Sequence, residues 1–151
     1  MLNYTFMKHL SNDVKSFRSL NGLKVLVVDD NSDSLELIRL ILEGYSVQIA
    51  TATSTREALK VLAHWEPDVL ISDIAMPGED GYSLMRQVRI LSECGQCKHI
   101  PAIAITALIT EDGQTQAFGA GFDVYTQKPV DPDGLGEIVA ELVGNNARRC
   151  A

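Results

Sequence analysis

Pro67–Tyr82 reads PDVLISDIAMPGEDGY, and the reading of this stretch decides the fold. Its apolar run Val69-Leu70-Ile71 is short enough for a buried strand. The run stops at a carboxylate, Asp73. Met76-Pro77-Gly78 and Glu79-Asp80-Gly81 then break regular structure before an amphipathic segment starts at Tyr82. An acidic side chain thus stands where a strand gives way to a loop, the edge at which open parallel sheets gather ligands and chemistry. Asp73 is either a reactive group or an ordinary loop aspartate, and its surroundings must choose.

Working outward, strands and helices alternate. Lys24–Val28 (KVLVV) has no polar face past Lys24, as a strand covered on both sides should. It ends in Asp29-Asp30. Asn31-Ser32 with Glu36 forms a capping-type start for a helix whose stripe is Leu35, Ile38 and Leu42 with Leu37 and Ile41, closed by Gly44 at C′. A second strand is predicted over Ser46–Ala50, and a second helix from Thr53-Ser54 through Ala58, Leu59, Val61 and Leu62. After the opening strand, a third helix runs from about Gly81 to Ser92 with Leu84, Met85, Val88 and Leu91 at helical spacing. Ala102–Ile105 makes a fourth strand ending at Thr106, and a weaker fourth helix spans about Glu111–Phe118 before Gly119 and Gly121. Asp123–Thr126 is a fifth strand leading to Lys128-Pro129. Asp131 as N-cap and Pro132 at N1 open a fifth helix with Leu135, Ile138, Val139 and Leu142 inward. Five strands alternating with five helices imply an α/β fold: a doubly wound parallel sheet with helices on both faces.

Composition narrows the function. A chain of 151 residues suggests one domain, and 46% hydrophobic residues suffice for a core. The net charge of −7 argues against a nucleic-acid surface. No apolar run approaches the roughly 20 residues of a membrane span, and the N-terminus lacks a signal-peptide pattern. Three cysteines do not make a disulfide framework, which fits a reducing, cytoplasmic setting. Residues 1–22 read as an N-terminal arm or linker, with a short helix open to Leu10, Val14, Phe17 and Leu20; residues 23–144 form the domain and 145–151 a tail.

The chemistry lies at the carboxyl ends of the strands. Strand one supplies Asp29 and Asp30, strand three Asp73, strand four Thr106 and strand five Lys128. In a doubly wound sheet these ends line one edge near the crevice where strand order reverses. Three close carboxylates repel one another, so one protonates or a cation enters. Oxygen-only ligands favour a hard ion, and Mg²⁺ accepts one or two carboxylates together with waters and phosphate oxygens. A carboxylate beside such an ion and an ammonium can attack a phosphoryl group, whose charge both would offset. Thr106 can donate its hydroxyl to a phosphate oxygen. The implied product is an aspartyl phosphate.

VLVVDDN, LISDIAMPGEDGY, AIAITA and Lys128-Pro129, in this order and spacing over about residues 23–144, resemble the receiver domain of two-component response regulators. The resemblance implies a flavodoxin-like (βα)5 fold with strand order 2-1-3-4-5. It implies that Asp73 is phosphorylated by the phosphohistidine of a histidine kinase or histidine phosphotransfer protein. Asp30 would ligate Mg²⁺ directly, Asp29 mostly through water, and the Ala75 carbonyl would join them. Lys128 would pair with the phosphoryl group, with a cis bond to Pro129. Tyr125 matches the switch aromatic, which turns inward when the Thr106 hydroxyl moves to the phosphate. The implied protein is a signalling phosphoacceptor that assists its own phosphorylation and dephosphorylation, not a turnover enzyme. No output domain is expected, and the signal would leave through the fourth helix, fifth strand and fifth helix, to an effector or a second copy. The GEDGY wording is similar to receivers attached to hybrid sensor kinases.

Each of these groups also has a blander reading. A strand-end Asp is ordinarily a loop residue, but not with four matching groups at the other strand ends. Tyr125 can be simply a half-buried aromatic on an edge strand. Cys94 and Cys97 tempt a metal or redox reading, yet zinc needs four ligands and only Cys150 remains, so they read as loop filler. Asp68, Glu79 and Asp80 read as solvated charges, and Trp65 as an indole against the core edge. Apolar Leu108, two residues past Thr106, is expected to shield the phosphate from water. A dehalogenase-type phosphatase would want an Asp where Ala75 stands. A flavin module would be repelled by Asp29-Asp30.

Overall fold

The computed structural model describes residues 20–96 and 98–150, with backbone alone for 145–150. Strands β1 (Lys24–Val28), β2 (Gln48–Ala52), β3 (Val69–Asp73), β4 (Ala102–Thr106) and β5 (Val124–Gln127) alternate with helices α1 (Ser32–Glu43), α2 (Thr55–Leu62), α3 (Gly81–Glu93), α4 (Glu111–Ala120) and α5 (Pro132–Cys150). All pairings are parallel, in the order β2-β1-β3-β4-β5, so strand order reverses between β1 and β3.

Alternating strand side chains face two cores, as the two-residue period requires. Leu26, Val28, Leu70, Ala102 and Ala104 meet Ala58 of α2, Leu84, Met85 and Val88 of α3, and Ala117 and Ala120 of α4. Val25, Val27, Val69, Ile71, Ile103 and Ile105 meet Leu35, Ile38 and Leu42 of α1, and Leu135, Ile138 and Val139 of α5. Every residue of β3 and β4 is buried, which explains their unbroken apolar runs. Each fully buried Leu, Ile or Val contributes about 1.5–3 kcal/mol, so the central strands are the most firmly held part of the sheet.

Helix starts follow local chemistry. Asn31, Ser54, Asp80 and Thr110 cap α1 to α4, each accepting a backbone N–H from three residues on. Asp131 does the same for α5, accepting from the Gly134 amide at 3.2 Å. Asp80, expected as a solvated charge, is thus a cap. Asp68, also expected in solvent, accepts from the Lys24 amide at 2.9 Å and pairs with Lys98 at 3.0 Å. Trp65 packs against the first core as expected, with the Lys24 ammonium 5.9 Å from its ring.

Several boundaries moved. β2 starts at Gln48, not Ser46, because Ser46 takes a left-handed turn (φ 59°) and pairing begins only where the Gln48 amide meets the Leu23 carbonyl at 2.7 Å. Gly44 ends α1 in a right-handed conformation (φ −60°), so the left-handed residue of this turn is Ser46. Gly121 is the left-handed cap of α4 (φ 115°), with the Phe122 amide reaching back to the Ala117 carbonyl. α5 continues to Cys150, past Val143 where the apolar pattern stops and a tail was expected. That pattern reports packing, not how far the helical backbone runs. Leu20, read as part of the arm, is 1% exposed and joins the second core. The helix suggested before it lies outside the described residues.

Gly81 opens α3 directly against the end of β3. A Cβ there would run into the Asp73 carbonyl oxygen and come within 2.9 Å of Ile74 Cα, both backbone atoms that cannot yield. Gly119, inside α4, has open space around it. Gly81→Ala is therefore expected to lose about 1–3 kcal/mol, and Gly119→Ala to gain about 0.5–1 kcal/mol. Urea denaturation of both variants checks this, and equal effects would contradict it.

Candidate functional site

β1 and β3 are adjacent, so Asp29 and Asp30 just past β1 stand beside Asp73 at the end of β3. Oxygen atoms from these three carboxylates lie within 4.8 Å of one another. Backbone bonds fix their approach: the Asp29 amide donates to Ala52 and the Ile74 amide to Ile105, each at 3.1 Å. The Asn31 amide donates to Asp29 Oδ1 at 2.9 Å and sets that carboxylate's orientation. Asp29 and Asp73 are buried, and Asp30 is exposed at the mouth.

Lys128 arrives from the far side of the sheet. Its amide donates to the Thr106 carbonyl at 2.8 Å, just past β5, and its bond to Pro129 is cis. Lys128 Nζ stands 2.7 Å from Asp29 Oδ2 and 3.3 Å from Asp73 Oδ2. Burial works against its charge, but the bond to Asp29 and the charges of Asp73 and Asp29 outweigh it and raise its pKa. Burial, and next the Asp29 charge, push the Asp73 carboxyl up to about 6, against the pull of Lys128 and the Ile74 amide. Three carboxylates against one ammonium leave two negative charges uncompensated when all are ionised. All-oxygen donors with that excess suit a hard divalent cation such as Mg²⁺.

Asp29, Asp30, Asp73 and Lys128 therefore come together as the strand ends suggested. Ala75 lies exposed on the loop two residues past Asp73. Thr106 ends β4 at the same edge, with its hydroxyl turned to the next loop, donating to the Leu108 carbonyl at 3.1 Å. The Tyr125 hydroxyl donates to the same carbonyl at 3.4 Å. Tyr125 is already turned inward, 8% exposed, with its hydroxyl near the start of α4. Leu108 is 68% exposed. Cys94 is an exposed free thiol at the C-cap of α3, while Cys97 and the Cys150 side chain lie outside the described residues.

Two contributions escaped the sequence reading. Asp80 was legible in principle, being an Asp directly before a periodic segment. Thr55 was not, because its partners come from a distant loop: its hydroxyl lies 3.1 Å from the Glu79 carbonyl and 3.4 Å from that of Asp80.

A doubly wound sheet with an acidic cluster and one lysine at its switch point defines a receiver of two-component signalling. The chain belongs to this family, for the family model described as response regulator receiver domain matches residues 25–140. It is 38% identical to an uncharacterized 14.6 kDa protein of Leptolyngbya boryana, over 82% of this chain and 92% of that one. It is 30% identical to the sensor histidine kinase CheAY of Helicobacter pylori, over 94% of this chain but only 18% of the kinase. The solved signal receiver domain of a signal transduction histidine kinase from Syntrophus aciditrophicus is similar at TM-score 0.72 and 30% identity, covering 82% of this chain and 92% of that one. Among the described residues no helix is long and apolar enough to cross a membrane.

The raised Asp73 pKa has a stability consequence in metal-free buffer. The folded value of about 6 exceeds the ordinary 3.8, so the folded state holds this proton more tightly. Its contribution is complete below the ordinary value and is lost as pH rises through the folded one. Asp73→Asn, which removes the charge, is expected to be more stable than wild type by about 1–3 kcal/mol above pH 7. The difference should shrink as pH falls from about 6 to about 4. Denaturation with a chelator present measures it, and a pH-independent difference would contradict the assignment.

Proposed function

We propose that this receiver takes a phosphoryl group onto Asp73 from the phosphohistidine of a histidine kinase or histidine phosphotransfer protein, in a Mg²⁺-dependent reaction. The observation that carries the reading is Lys128 Nζ bridging Asp29 and Asp73 inside a cluster of three carboxylates. The ionised Asp73 oxygen attacks phosphorus, the O–P bond forms, the N–P bond breaks, and the imidazole leaves. With its pKa at about 6, Asp73 is mostly ionised at neutral pH and ready as a nucleophile. Asp29, Asp30, Asp73 and the Ala75 carbonyl would hold the Mg²⁺. When bound, the ion offsets charge on the transferred oxygens. Lys128 needs only to release one carboxylate oxygen to reach a phosphoryl oxygen.

Entry for the donor is supported by a cavity of about 310 Å³ lined by Leu37 and Ile38 of α1, Ala107, and Lys128-Pro129-Val130. Leu37, in its lining, is 43% exposed, and Leu40 further along α1 is 55% exposed, an apolar footing for a histidine-bearing helix. The Thr106 and Tyr125 hydroxyls share one acceptor. Moving the Thr106 hydroxyl to a phosphoryl oxygen would leave Leu108 to Tyr125 alone and shift the loop before α4. The α4–β5–α5 face would then report the change to an effector or a second copy.

Titration with acetyl phosphate or beryllofluoride in Mg²⁺ tests the reading. Wild type should gain one phosphoryl group by intact mass, and Asp73→Asn none. A wild type that shows no Mg²⁺-dependent response defeats the proposal.

A further inference from the structure

Thr55 is the first residue of α2, remote in sequence from every group above, and only 2% exposed. Its hydroxyl is not used to cap its own helix. Ser54 does that, accepting the Glu57 amide at 3.1 Å. The Thr55 hydroxyl instead faces the carbonyls of Glu79 and Asp80, at 3.1 and 3.4 Å. These are the last residues of the loop that leaves Asp73. At its other end the loop is closed by the Gly81 amide on the Ile74 carbonyl at 2.8 Å. Between the two fastenings lie Ala75, Met76, Pro77 and Gly78, with Ala75, Pro77 and Gly78 exposed and Gly78 at φ 78°. Within this stretch Met76 alone is buried, packed in the first core, and Gln87 donates to the Glu79 carboxylate at 3.0 Å.

We propose that Thr55 is a positioning residue for the phosphoacceptor loop: its buried hydroxyl clamps the Glu79–Asp80 backbone and thereby holds the Ala75 carbonyl at the acidic cluster. The inference rests on the proposed function in one respect, that Ala75 faces a bound Mg²⁺. The clamp stands on geometry alone. A single buried donor suits this task because a carbonyl left without one in a buried place seeks water by opening its segment. Supporting groups of this kind, outside the ligands themselves, tune how tightly a metal is held.

The test compares Thr55→Val, which keeps the shape and removes the donor, with Thr55→Ser, which keeps the donor and loses the methyl. In metal-free protein, amide hydrogen exchange at 75–81 should rise about tenfold in Thr55→Val and stay near wild type in Thr55→Ser. Mg²⁺ affinity by calorimetry should fall about tenfold in Thr55→Val and recover in Thr55→Ser. Unchanged exchange and affinity in Thr55→Val overturn the proposal. So does a uniform rise in exchange across the sheet, which would make Thr55 a packing residue only. If wild type itself fails to bind Mg²⁺, the proposed function and the metal part of this inference both fall, while the exchange comparison still decides the clamp.

Discussion

Three carboxylates held within 4.8 Å of one another are the constraint on which the rest of this structure depends. Left alone they would repel, and the fold opposes that repulsion from both sides. Below, β1, buried past Lys24, and fully buried β3 lock the backbones of Asp29 and Asp73 by parallel pairing. Across the edge, Lys128 places its ammonium against both buried carboxylates. The compensation is incomplete, and the raised Asp73 pKa expresses that deficit. A site built this way gives up stability in its resting form and is suited to receiving positive charge or a charged group.

The sheet explains why the deficit is bearable. Its two cores lie on opposite faces, α1 and α5 on one and α2, α3 and α4 on the other. Most of their packing comes from strand interiors and helices, with Ile74 and Met76 just past β3 joining the first core. The carboxyl edge is thus free to carry unfavourable electrostatics while Leu26, Leu70, Ile71 and Ile103 stay fully buried beneath it. The strands beneath the carboxyl edge are held firmly whatever charge stands at their ends.

The loops differ in how they are fastened. The one after β4 is held by two hydroxyls, Thr106 and Tyr125, converging on one Leu108 carbonyl. That shared acceptor makes it sensitive to anything that draws Thr106 away. The one after β3 is fastened by the Gly81 amide and the Thr55 hydroxyl, neither of which touches the carboxylates.

The sequence by itself determined the order of elements and the groups at the strand ends. Periods of two and of three to four residues record burial, and Asp29, Asp30, Asp73, Thr106 and Lys128 follow directly from where the apolar runs stop. Local caps such as Asn31 and Asp131 were legible for the same reason, since their partners lie three residues away. Contacts between distant segments were not. Leu20 in the core, Asp68 bound to Lys24 and Lys98, the inward Tyr125, the outward Leu108 and Thr55 on the Glu79 carbonyl were each decided only when tertiary packing brought separate loops together. A residue's type states which bonds it can make. Which one it makes depends on what the folded chain sets within reach, and no local pattern records that.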